Sequence, residues 1–169
     1  LEALLREAGY AFDFTGTQTG LAHSGTDPDH EGHSGYTIGP DQRRFCEGCA
    51  TANLYDHLEA YLSSEPDIIL LLIGINDLLP WEEYPVRPEE APGKLANLVK
   101  RIQELRPEAY IFVASLAPIS YMDSSKLPYY EEVNQMAEKL GNQDAEDRVY
   151  FVDLNRRMEA TIDRSADFA

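Results

Sequence analysis

The sequence is poor in positive charge. It holds 14 Lys and Arg against 30 Asp and Glu, a formal net charge of −16. A chain this acidic repels phosphate, which speaks against nucleic acid and anionic membrane as its main partners. Cysteine is scarce as well, and two residues are too few for a disulfide scaffold. No apolar run approaches the ~20 residues that a membrane-spanning helix needs, so no integral membrane segment is expected. Internal repeats and low-complexity stretches are absent. What is there is ordinary globular composition: 169 residues, 43% hydrophobic and 10% aromatic, enough for one domain with a sizeable core. The sequence opens on Leu1 inside a helical stripe, as a mature or trimmed piece of a longer chain would.

Helical and extended patterns alternate. Leu1, Leu4, Leu5 and Ala8 recur at i, i+3, i+4 and i+7 and predict a helix stopped by Gly9. Tyr10, Phe12 and Phe14 alternate and predict a strand over residues 10–15. Residues 16 to 45 show no period, and so long an aperiodic stretch in a compact domain marks a functional loop. Leu54, Leu58, Tyr61 and Leu62 predict a second helix. The unbroken run Ile68–Ile73 predicts a strand buried on both faces. Leu95, Leu98, Val99, Ile102 and Leu105 predict a third helix, and Tyr110–Leu116 a second buried strand. Tyr129, Val133, Met136, Ala137 and Leu140 predict a fourth helix, ended by Gly141 and Asn142. Val149–Val152 reads as a short strand before a short helix over 154–162. This order predicts an α/β layered fold with a parallel sheet and right-handed crossovers. Sites in such folds gather at the carboxyl ends of strands, where the loops 15–45, 74–92 and 117–126 lie.

Four groups of residues carry candidate chemistry. Gly74-Ile75-Asn76-Asp77 directly follows the apolar run. The Gly permits a sharp turn, and the Asn amide could donate to a developing oxyanion. Asp77 could cap the next segment or accept loop N–H groups. The same four residues also read as a plain turn. The block Asp29-His30-Glu31-Gly32-His33-Ser34-Gly35-Tyr36 lies in the long loop. There Gly32 or Gly35 could present a backbone N–H to a ligand without side-chain obstruction; a polar surface loop is the plain alternative. His33 and Ser34 are neighbours whose side chains diverge, so they do not make a nucleophile and its base. His30, His33, Cys46 and Cys49 are zinc-ligand types at plausible spacing, in the reverse of the usual Cys-first order. A disulfide or two unlinked thiols account for the cysteines equally well. Trp81, in the proline-rich stretch 80–92, suits either a sugar-stacking platform or a packing pin. Tyr121, Tyr129 and Tyr130 read as helix packing, and Glu82, Glu83, Glu89 and Glu90 as solvated surface.

Together the segments Asp13–Thr17, Asp29–Ile38, Pro66–Asp77 and Val149–Leu154 resemble the SGNH (GDSL-like) hydrolases, nearest to the family-three carbohydrate esterases, which include acetylxylan esterases. The resemblance spans nearly the whole chain. It implies a three-layer α/β/α fold with a parallel, flavodoxin-like sheet, here without its first, central strand. It implies one domain over 1–169, incomplete at both ends, and a second chain or a further segment to complete the sheet. Its activity would be serine esterase chemistry on acyl esters, acetyl above all, of a polysaccharide or small molecule, with no cofactor and no metal.

The roles the resemblance implies fall on particular residues. The oxyanion would be held by the Gly32 N–H, with Gly35 as the second choice, and by the Asn76 side chain. His33, Gly35, Gly74 and Trp81 would line the substrate site. The nucleophilic Ser belongs to a Gly-Asp-Ser block and its partners to an Asp-x-x-His block, and this sequence shows neither. None of Ser34, His33 or His57 matches a triad position. Likeness to extracellular polysaccharide esterases points toward secretion. Two alternatives stand beside the esterase: a catalytically inactive module of the same fold that binds a glycan or a protein, and a small zinc-binding domain.

Overall fold

The computed structural model describes residues 1–20, 26–79, 87–119, 124–143 and 145–161. Its centre is a parallel sheet of three strands, β3 (Ile68–Leu71), β4 (Tyr110–Ala114) and β5 (Val149–Val152), in that spatial order. Ile68 lies opposite Tyr110, and Ile111 opposite Val149. A two-residue antiparallel ribbon, β1 (Gln18–Thr19) with β2 (Asp29–His30), sits in the long loop. The helices are α1 (Glu2–Glu7), α2 (Leu58–Tyr61), α3 (Ala91–Leu105), α4 (Leu127–Gly141) and α5 (Leu154–Thr161). This is the expected α/β class, a parallel sheet flanked by helices.

α3 and α4 form where the apolar period is strongest. Leu95, Leu98, Val99 and Ile102 make one stripe of α3, and all are buried. Pro92 and Pro128 sit in the first turns of α3 and α4, where a missing N–H costs nothing. Val133 and Ala137 are the buried pair of α4. These side chains meet Leu71, Ile111, Val113 and Val149 in one core, joined by Ile38 and Leu78 from the loops.

The sheet departs from expectation on its other face. The run Ile68–Ile73 is not buried on both sides: Ile68, Leu70 and Leu72 are 58%, 60% and 54% exposed. Tyr110 and Tyr150 are exposed on the same side, and Tyr150 packs on Phe112. An apolar run shows that both faces are apolar; what covers each is decided by tertiary packing, and α3 and α4 supply only one cover.

The predicted strand over 10–15 does not form. The Phe14 N–H donates to the Asp27 carboxylate at 2.9 Å rather than to a neighbouring strand. Phe12 and Phe14 pack edge to face, and the Arg6 guanidinium sits over Phe12. The alternating aromatics therefore serve a local cluster. Gly141 does not lie beyond α4 but is its last residue. The second predicted helix is a 3₁₀ turn, Tyr55–His57, followed by the single turn α2.

Candidate functional site

The site is built where β3 ends. Gly74 has φ +119°, a left-handed conformation that favours glycine. It throws the chain into a 3₁₀ turn, Ile75–Asp77, closed by the Asp77 N–H on the Gly74 carbonyl at 3.2 Å. The turn sends Asn76 and Asp77 to the same distant segment. Asn76 Nδ2 donates to the Tyr36 carbonyl at 2.9 Å, and the Ile38 N–H donates to Asp77 Oδ2 at 3.0 Å.

The residue between them, Thr37, turns to the opposite edge. Its N–H donates to the Ala52 carbonyl at 3.0 Å, and its carbonyl accepts the Leu54 N–H at 3.0 Å. Residues 36–38 thus behave as a short extended segment with one edge on the 76–77 turn and the other on residues 52–54. The two sequence blocks singled out above are joined in this way across forty residues.

Asp77 is 2% exposed. Burial pushes its carboxyl up to about 6, against the Ile38 N–H and the positive charges of Lys94 and Arg43; Asp41 adds to the rise. Its Oδ1 meets no hydrogen-bond donor among the described residues.

The second block folds around His33. The imidazole is stacked between the rings of Tyr36 and Tyr61, with centroids at 4.7 and 4.5 Å. Its Nε2 contacts the Glu31 carboxylate. Glu31 also accepts the Thr17 N–H at 2.7 Å and the Thr17 hydroxyl at 2.6 Å. Burial opposes ionisation of Glu31, but bonds from Thr17 and His33 outweigh it and hold the carboxyl below its usual range. Tyr61 is pushed the other way, its hydroxyl raised by burial and by the Tyr36 hydroxyl beside it. His33 is thereby committed to Glu31 and the two tyrosines. His57 is committed as well, its Nε2 lying 2.8 Å from the Thr51 carbonyl. Both histidines therefore pair with groups other than serine.

The candidate glycines differ in what their N–H groups do. Gly32 is exposed, and its N–H donates to His30 Nδ1 at 3.0 Å. Gly35 sits in a turn closed by the Tyr36 N–H on the His33 carbonyl, and its own N–H meets no acceptor among the described residues. Trp81 lies outside the described residues, as do Tyr121, Glu82 and Glu83. Tyr129 and Tyr130 pack against the core as expected.

The zinc reading is overturned. Cys46 and Cys49 are joined by a disulfide, with Cα atoms 5.3 Å apart, so neither offers the thiolate that zinc requires. His30 and His33 are engaged as described, and no group of three or more His, Cys, Asp or Glu among the described residues could hold a metal ion. No helix among them is long and apolar enough to cross a membrane.

Sequence reasoning missed the Glu31–His33 pair and the part played by Tyr61. Their signal was the i, i+2 spacing of Glu31 and His33, which puts both on one side of an extended segment. It missed Phe45 too, which packs on Gly35 and Tyr36 and had no pattern to mark it.

A parallel sheet with an Asn-bearing turn beyond one strand's carboxyl end, docked on a glycine-rich loop, defines a class: α/β proteins that carry their site on the loops at the carboxyl ends of the strands. The comparisons place the chain within it. Residues 8–169 match the model of the GDSL-like Lipase/Acylhydrolase family, and the chain belongs to that family of acyl-ester hydrolases. It is similar to the Clostridium thermocellum family 3 carbohydrate esterase, at 30% identity over 98% of this chain and 70% of that one, with a TM-score of 0.69. A carbohydrate esterase family 3 structure from Talaromyces cellulolyticus shares the fold, with 21% identity, 92% of this chain and 71% of that one covered, and a TM-score of 0.66. No curated protein sequence matches the chain.

Proposed function

We propose that this chain is a single hydrolase domain of an esterase that removes acetyl groups from a polysaccharide, with Asn76 and a loop glycine binding the oxyanion. The observation that carries the reading is the Asn76 amide, held at the end of β3 by the Tyr36 carbonyl. One of its two N–H bonds is used there, and the second remains to donate to a substrate oxygen. Attack on an ester carbonyl moves negative charge onto that oxygen, and a donor fixed beforehand stabilises the charge without reorganising. The substrate class follows the likeness to the carbohydrate esterase above.

A loop backbone N–H is the second donor. Gly32 is the position the resemblance implies, and to act it must first be released by His30. Gly35 is favoured by one observation, that its N–H has no acceptor among the described residues. His33 and Gly74 line the substrate site in this reading, and they also shape the loop and the turn. The attacking hydroxyl and its base are groups other than His33 and His57, which are committed elsewhere.

The test is Asn76→Ala in the full-length protein, assayed on an aryl acetate and on acetylated xylan. The expected result is a fall in kcat of about 10²–10³ with little change in KM. Unchanged kcat overturns the role of Asn76. Saccharide binding with no turnover by the wild-type protein overturns the esterase itself.

A further inference from the structure

We propose that the ring of Phe45 is a stacking platform for a sugar ring of the substrate, at the margin of the Asn76 site. The proposal rests on the esterase reading above for its substrate class, and on four observations of its own.

The first is exposure. Phe45 is 58% exposed, so a large part of an apolar ring meets water. The second is rigidity. The ring lies so close to Gly35 that a Cβ there would sit 3.1 Å from Phe45 Cε1 and Cζ. The Tyr36 ring lies at 6.0 Å and the Arg43 guanidinium at 5.7 Å from its centroid. The third is the loop that carries it. Residues 44–51 are tied at both ends by the Arg44–Thr51 bridge, with the Ala52 N–H on the Arg43 carbonyl at 2.7 Å. The Cys46–Cys49 disulfide closes the tip. The fourth is position. Tyr36 touches Phe45 with its ring and accepts the Asn76 amide with its carbonyl. One residue therefore joins the platform to the proposed oxyanion donor.

A single exposed apolar side chain is normal on a protein surface. A ring packed against Gly35 and Tyr36, on a loop closed by a disulfide and joined through Tyr36 to a candidate site, is a different case. Its ordering entropy is already spent, so a ligand that covers it gains the apolar contact at little further cost. A pyranose offers a matching surface, because one face of the ring presents C–H groups and its hydroxyls point outward to water. Gly35 itself adopts φ +78°, a left-handed conformation that favours glycine.

The experiment compares wild type, Phe45→Ala, Phe45→Leu and Phe45→Tyr in the full-length protein. The readouts are kcat and KM on an acetylated xylo-oligosaccharide, the same on 4-nitrophenyl acetate, and direct titration with the unacetylated oligosaccharide. The Ala and Leu variants should lower the ratio of kcat/KM, oligosaccharide over aryl acetate, by about 2- to 10-fold, carried by KM. The titration should weaken by the same factor, and Phe45→Tyr should restore both. Leu keeps apolar bulk without a ring face, so a Leu variant equal to wild type would show that Phe45 only packs the loop and would overturn the platform. A loss that grows with acyl length on aryl esters would assign the ring to the acyl chain and overturn it too. Absence of aryl acetate turnover in the wild type counts against the esterase reading alone; the titration still decides the platform.

Discussion

Asp77 shows how one residue can serve position and stability with opposite signs. Its carboxylate takes the Ile38 N–H and so fixes the loop beside Asn76. Burial nonetheless raises it to about 6 from an ordinary 3.8. The folded protein then binds more protons than the unfolded chain between those values, so this residue's contribution to stability is full below about pH 4 and is lost as pH rises through about 6. Asp77→Asn keeps an acceptor for Ile38 and removes the charge. Its stability relative to wild type, from urea midpoints, should rise by about 2–3 kcal/mol between pH 4 and pH 7. A relative stability independent of pH would show that Asp77 ionises in the fold as easily as in water. At this scale the sequence was informative about identity and poor about partners. Asn76 and Asp77 stood out by their place after an apolar run, whereas their bonds to Tyr36 and Ile38 involve main-chain groups forty and thirty-nine residues away. Backbone groups carry no residue identity, so nothing in the string marked them.

Among the elements, α3 and α4 were legible because each buries one regular stripe, and stripe and burial share a period. The strand expected at 10–15 failed for the opposite reason: alternation alone does not provide a partner, and the Phe14 N–H found a side chain first. The junction of β4, α4 and α5 was equally hidden. The single Tyr130 O–H lies 3.0 and 2.8 Å from the Leu116 and Ala117 carbonyls and is shared between them, and Asn155 Nδ2 donates to that same hydroxyl. The Asn155 N–H also donates to the buried Ser115 hydroxyl at 2.9 Å. One phenol oxygen thus ties three elements. Tyr130→Phe should cost about 1–3 kcal/mol in chemical denaturation, since the carbonyls and the Asn155 amide lose a partner in a part-buried place. A loss below half a kcal/mol would mean that water replaces the hydroxyl there.

For the whole molecule, fold class and strand direction followed from the alternation of helical and extended patterns, but the exposure of Ile68, Leu70 and Leu72 on one face of the sheet did not. The strand that shows this most plainly is β3. In β4 successive N–H groups go to opposite neighbours: Tyr110 donates to Asp67 beside β3, and Ile111 to Arg148 beside β5. β4 is therefore held on both sides, while β3 has β4 as its one strand neighbour among the described residues. In a parallel strand alternate amides point to alternate sides, so every second N–H of Ile68–Leu71 faces away from the ladder. Isotopic exchange should read this as a comb. In native solution, deuterium should enter alternate amides of β3 rapidly, while the amides of β4 wait for global opening. Even, slow uptake along Ile68–Leu71 would instead reveal that this edge acquires another strand in solution.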